Sequence, residues 1–264
     1  MSLIDIRAVL DEPVGETRAA PGALVKFTVE AIGTLFLVFA VGVAVAGRSS
    51  LAPLAIGAVL IMMFYAGARF SGGHYNPAVT LAVLVRRRIG LRDAVAYWMV
   101  QLGAGLLAAV LVRIVIDPAE LATTATSTLT GHTLVAAFVL QLLFTFALCY
   151  VVLNGATSTR RSRSSVYGIA IGFIAAPGAL AVAVICGYVS DPADTVWTAV
   201  MGVFAWPTLW VYLLSQVVGG AAAGVVFLAL DPDAKYAVTQ SDSTTTGHDL
   251  ERNDEQWLLP VGGK

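Results

Sequence analysis

A chain of 264 residues that is 58% hydrophobic and 12% charged, with mean hydropathy +0.80, has too little charge to cover a soluble domain of its size. The composition therefore points into a lipid bilayer. A net charge of −1 leaves no electrostatic footprint for nucleic acid or for an acidic partner.

Residues 1–22 mix acids, bases and prolines ahead of the first apolar run. They lack the short basic start of a cleaved signal peptide, so the first span is expected to stay in the mature protein. A helix needs about 20 apolar residues to cross the hydrocarbon core. Residues 27–46 meet that need with one charge, Glu30, and residues 51–68 with none. Residues 76–85 are apolar but stop at Arg86, Arg87 and Arg88. As a helix they rise only about 15 Å, half a bilayer. Two further uncharged spans follow at 94–112 and 134–153, and a fifth fits between Arg163 and Asp191, where no charge occurs. Residues 195–230 are 36 uncharged residues, too many for one crossing and too few for two. Pro207 interrupts them, and proline suits the first turn of a helix. The predicted division is a short helix over 191–203 and a full span over 207–230. Two short segments in matching positions of two halves point to a permeation site built by discontinuous helices.

Basic residues in short loops set the orientation. Arg69, Arg86, Arg87, Arg88 and Arg92 flank the first short segment, and Arg160, Arg161 and Arg163 join spans four and five. The other connections hold Arg48, then Arg113 with Asp117 and Glu120, then Asp191 with Asp194. The arginine-rich side is expected to be cytoplasmic, with both termini on it. The tail, residues 231–264, is rich in Asp, Ser and Thr and is expected to be disordered. Cys149 and Cys186 sit inside apolar runs and read as small buried hydrophobes rather than a disulfide or a metal site.

The two halves echo each other. Glu30 with Thr34 matches Gln141 with Thr145 at an offset of 111, while Asn76-Pro77-Ala78 matches Asp191-Pro192-Ala193, and Gln101 matches Gln216, at 115. Three spans per half is an odd number, so the halves must sit inverted in the membrane.

The stretch from Ser71 through Asn76-Pro77-Ala78 to Thr80 resembles the first signature loop of the aquaporin, or major intrinsic protein, family. Glu30 with Thr34 resembles that family's first span, and Trp210-Val211-Tyr212 with Gly219-Gly220 its sixth. The resemblance implies an all-α membrane protein with six tilted transmembrane helices and two re-entrant half-helices, Asn76 facing Asp191 near the midplane. It implies a channel domain over residues 23–230, in repeats near 23–115 and 132–230, between cytoplasmic segments 1–22 and 231–264. It also implies homotetramers with one pore per subunit and no cofactor. The expected setting is a bacterial plasma membrane, and the expected permeant is water or a small neutral solute of glycerol type. Gly103, Gly105, Gly219 and Gly220 suit close helix packing.

The first backbone N–H groups of a buried half-helix lack intrahelical partners, and about half a positive charge collects there. Two such ends meeting would orient each water through its oxygen and repel protons and cations. Asn76 is a favoured N-cap whose amide can turn donors towards a passing oxygen. The second half departs from the family pattern. Asp191 stands where the resemblance expects the second asparagine, and Asp194 where it expects the constriction arginine. The remaining constriction positions are Ile56, Ala179 and Tyr188, where water-selective members carry an aromatic, a histidine and a small residue. Ionised, the two acids make this mouth more negative by three charges than that pattern. A carboxylate accepts hydrogen bonds and attracts cations, whereas an arginine donates and repels them. Two arrangements follow: a less selective or cation-leaking pore, or acids turned away, Asp191 capping its helix and Asp194 facing water.

Glu30 and Gln141 are expected to bond the backbone of the signature loops. His74 is expected to pack its loop, since no second His or Cys lies near it to complete a metal site. A secondary transporter would need a charged site within the spans, and only Glu30 offers one. A folded homologue that conducts little is a further alternative. No nucleophile and base pairing or metalloprotease motif supports an enzyme.

Overall fold

The structure is a computed structural model and describes residues 21–47, 49–117, 119, 121, 128–157, 166–186, 191–202 and 205–230. Its elements are α1 (Ala23–Gly47), α2 (Ala52–Ser71), α3 (Pro77–Val85), α4 (Leu91–Val115), α5 (Gly131–Thr157), α6 (Val166–Cys186), α7 (Pro192–Val200), a 3-10 turn (Trp206–Thr208) and α8 (Leu209–Leu230). No strand occurs among the described residues. α1, α2, α4, α5 and the stretch Trp206–Leu230 are each long and apolar enough to cross a membrane. α6 has 21 residues and contains Pro177; it rises about 31 Å, enough to span. Pro177 is exposed on the bundle surface, and a proline is tolerated within a membrane span where neighbouring groups satisfy the freed backbone.

α3 and α7 have nine residues each, which rise only about 14 Å. Both start on a buried capping residue followed by proline and run outward, so that Arg87 and Gly202, just past their ends, are exposed. α7 is shorter than the predicted 191–203. Met201 N–H bonds back to the Trp197 carbonyl at 2.8 Å, and Gly202 follows at φ +84°, a left-handed stop. Pro207 lies in the 3-10 turn that opens the last span, where its missing N–H costs nothing. α1 and α4 run past the predicted spans and take in Lys26, Arg92 and Asp93 at their ends.

The contacts repeat across the two halves. α1 packs on α2 and α4, as α5 packs on α6 and α8. Each half-helix crosses over: α3 lies against α8 and α7 against α4. α2 meets α6 at Gly57 and Gly172, where a methyl on either glycine would fall 2.7 or 2.6 Å from the other's carbonyl oxygen. The outer surface is apolar and the polar side chains pair inside: Ile32, Phe36, Met99, Leu107, Leu143 and Phe173 are exposed, while Glu30, Gln101, Gln141 and Gln216 are fully buried among apolar core residues. A bilayer requires this, since lipid solvates apolar side chains and leaves polar ones to pair internally.

Glycine supplies the closest approaches. A side chain on Gly105 would overlap the Trp197 ring, one on Gly219 would meet the Leu142 carbonyl, and one on Gly220 the Ala78 carbonyl. Gly103, by contrast, is exposed with open space around its Cα and takes no part in packing within the chain. Arg86, read from sequence as a loop charge, is buried at the C-terminus of α3, its guanidinium 4.3 Å from the Phe227 ring centroid. Arg87 and Arg88, which follow it, are exposed, so only the first of the three arginines turns into the bundle. Residues 1–20 and 231–264, with Arg160, Arg161 and Arg163, lie outside the described residues.

Candidate functional site

The loop leading into α3 is held from α1. The buried Glu30 carboxylate accepts four hydrogen bonds: from Ser71 Oγ at 2.7 Å, His74 N–H at 2.9 Å, Tyr75 N–H at 2.7 Å and Gln101 Nε2 at 3.0 Å. A buried carboxylate is tolerable only when its oxygens are satisfied in this way. Tyr75 sits at φ +49°, and its ring fills a slot where a methyl on Gly33 or Gly67 would overlap it. Its hydroxyl donates to the Met63 carbonyl at 2.9 Å. The loop is thus pinned at both ends before Asn76 begins the half-helix.

Asn76 caps α3 from an extended backbone. Its Oδ1 accepts Ala78 N–H at 2.7 Å and Val79 N–H at 3.2 Å. With that oxygen committed to the cap, the NH₂ end is left for the cavity that Asn76 lines. Asp191 caps α7 from the same backbone region, with Oδ1 accepting Ala193 N–H at 2.7 Å. Both caps line one cavity of about 40 Å³, against roughly 10–15 Å³ for a single water.

Ile56, Ala179 and Asp194 line this same cavity. Three of the four positions expected at the constriction therefore come together; the fourth, Tyr188, lies outside the described residues. Asp191 and Asp194 are each 3% exposed, and Asp191 Oδ2 and Asp194 Oδ1 accept no hydrogen bond. Of the two arrangements open from sequence, Asp191 combines both, capping with one oxygen and lining the cavity. Asp194 does not face open water. Apart from His74 the rest of the wall is apolar, including Leu148, Val152, Ile171 and Phe144, and the lining residues contain no Lys or Arg.

His74 packs its loop as expected: Nδ1 lies 3.1 Å from Thr80 Oγ1 and its ring meets Tyr97 edge-on at 5.1 Å. It also lines the cavity. Among the described residues no group of three or more His, Cys, Asp or Glu is placed to hold a metal.

A second shell of bonds repeats between the halves. Gln101 Nε2 donates to Thr80 Oγ1 at 3.1 Å, and Gln216 Nε2 to Thr195 Oγ1 at 3.0 Å. The two threonine hydroxyls also reach the carbonyls of their own N-caps, Thr80 to Asn76 at 3.2 Å and Thr195 to Asp191 at 2.8 Å. Gln101 continues to Glu30, and Gln216 to Gln141 at 3.2 Å. The bond expected from Gln141 to its own signature loop falls on residues 187–190, outside the described ones. Sequence reasoning passes over Thr80, Thr195 and Phe144; for the threonines, the shared offset of 115 is the available signal.

Comparison with known proteins agrees with this geometry. Residues 18–227 match the family model of the major intrinsic proteins. The chain is 34% identical over 224 residues to a protein named probable aquaporin TIP1-1 from Oryza sativa subsp. japonica, covering 80% of this chain and 88% of that one. It is 33% identical over 208 residues to glycerol uptake facilitator protein-like 6 from Lactiplantibacillus plantarum, covering 75% and 94%. The fold is similar to the X-ray structure of the aquaglyceroporin from Plasmodium falciparum, with TM-score 0.61 at 16% identity over 81% of this chain and 100% of that one. The capped half-helices, the shared cavity and these matches place the chain in the major intrinsic protein family, as an integral membrane channel and not an enzyme.

Proposed function

We propose that the channel passes water and small uncharged solutes of glycerol type without the strict water selectivity of an arginine-gated pore. The observation that carries this reading is Asp194, whose buried, unpartnered carboxylate lines the cavity shared by Asn76, Asp191, Ile56 and Ala179. Asn76 offers donors to a passing oxygen, while the aspartates offer acceptors to a passing hydroxyl. A polyol presents both. Ile56 and Ala179 stand at the positions where the family resemblance places an aromatic and a histidine in water-selective members, while Phe144 and His74 reach the wall from elsewhere. The names of the plant and bacterial relatives support a water or glycerol permeant. The reading includes homotetramers with one pore per subunit, and both termini on the cytoplasmic, arginine-rich face.

Stopped-flow light scattering of proteoliposomes tests it, with wild type against Asp194→Arg under water and glycerol gradients. Wild type is expected to pass both, and the variant to keep water flux and lose glycerol flux. Flux no faster than empty liposomes in wild type would overturn the reading.

A further inference from the structure

We propose that Asp191 and Asp194 form a binding site for a small monovalent cation bearing N–H donors, and that its occupancy slows water flux. The inference rests on the reading above, that both carboxylates face the permeation path. Each residue is 3% exposed, and each has an oxygen without a donor, Oδ2 of Asp191 and Oδ1 of Asp194. Both line the cavity, and no Lys or Arg shares its wall. Buried acceptors of this kind are ordinarily satisfied. Any donor to these oxygens has to enter through the cavity.

The charge balance selects the valence. Two half-helix N-termini face the cavity through their caps, Asn76 and Asp191. Together they supply about one positive unit. With both carboxylates ionised in the occupied site, their two negative units would leave roughly one to be neutralised by the bound cation. A divalent metal would overshoot this balance. It would also need six or more oxygen ligands, and no group of three His, Cys, Asp or Glu stands within reach of one another among the described residues. The wall chemistry selects the donor type. Ile56, Leu148, Val152 and Ala179 cannot replace the hydration shell of an alkali ion. A cation with N–H groups donates directly to the bare oxygens and lays the rest of its surface on apolar wall, as a planar guanidinium does with carboxylates. The cavity of about 40 Å³ limits the ligand to a few heavy atoms.

The test uses the full chain and guanidinium chloride at millimolar concentration, far below denaturing levels, with sodium chloride at matched ionic strength. Water flux is read in proteoliposomes by stopped flow, and thermal unfolding in detergent, for wild type, Asp191→Asn, Asp194→Asn and Asp194→Glu. Expected are a reversible slowing of wild-type flux, about half-complete when guanidinium equals its Kd, and a rise in Tm. Both responses should be lost in the two Asn variants and kept in Asp194→Glu. Normal wild-type flux with no response to guanidinium in either measurement would overturn the site and leave the channel reading intact. An aspartate-dependent rise in Tm in a protein without flux would uphold the site and remove the channel reading. Equal responses in wild type and both Asn variants would also overturn the site.

Discussion

The Tyr75 backbone N–H lies 2.7 Å from a carboxylate oxygen of Glu30, forty-five residues earlier in the chain and on a different helix. Through this bond and its neighbour to His74, α1 sets the position from which α3 starts. The N-cap asparagine is therefore placed by a residue that never touches the cavity.

Glu30→Ala would leave Ser71 Oγ, two loop N–H groups and Gln101 Nε2 without their acceptor. Removing one partner of a buried charged network costs about 3–5 kcal/mol. A lower detergent Tm, with reduced yield of folded protein, is the expected result. Glu30→Gln keeps acceptor capacity on one oxygen and is expected to lose less.

Tyr75 fits because two helices leave it no competing side chain. Gly67→Ala is expected to destabilise by about 1–3 kcal/mol through overpacking. The Tyr75→Leu background should reduce that cost, because the ring in the way is gone. Thermal melts of the four-member cycle measure the coupling; a Gly67→Ala cost unchanged by Tyr75→Leu would place the clash elsewhere.

Gly220 carries α8 across the Ala78 carbonyl so closely that a methyl carbon there would fall 2.7 Å from its oxygen. Gly220→Val has to push backbone rather than a flexible side chain, so α3 must shift. Water flux per folded channel is expected to fall by more than about tenfold, since a displacement of roughly 1 Å moves the cap out of register with its partner. Flux measured against the amount of protein in the liposomes checks this.

The paired threonines offer a comparison internal to the molecule. Thr195→Val removes a hydroxyl that serves Gln216 and the Asp191 carbonyl, and Thr80→Val one that serves Gln101, His74 and the Asn76 carbonyl. Each is expected to lose about 1–2 kcal/mol of stability, with Thr80→Val the larger because His74 loses its ring partner as well. Equal melting shifts would show that the His74 contact contributes little.

The half-helices were readable from sequence because a capping side chain and a proline at the first helical position coincide at each, beside a run too short to span in the first half and one too long for a single span in the second. Asn76 and Asp191 need no tertiary information to be recognised as caps. The inverted arrangement follows from counting spans. What was not readable depends on approaches between distant elements. The burial of Arg86 is invisible in a run of three arginines, because it comes with the Phe227 ring of α8 lying against its guanidinium rather than from anything local. Gly103 and Gly105 look alike in sequence and differ only in which way α4 turns them. Phe144 enters the cavity wall from α5 without any motif around it. Thr80 is an ordinary residue until the fold brings Gln101, twenty-one positions on, against it.

Gly57 and Gly172, the pair at which α2 and α6 touch, stand 115 residues apart, the same interval that relates the caps. Each is therefore the counterpart of the other, and this contact sits on the pseudo-twofold axis of the molecule. The geometry is that of an isologous dimer interface built within one polypeptide. A half-length precursor associating with its own copy would have met itself at this one glycine, and any change there would have struck both sides of the contact together. Fusion freed the two positions to mutate separately, yet both still have to be glycine, because each backbone occupies the space the other's side chain would need.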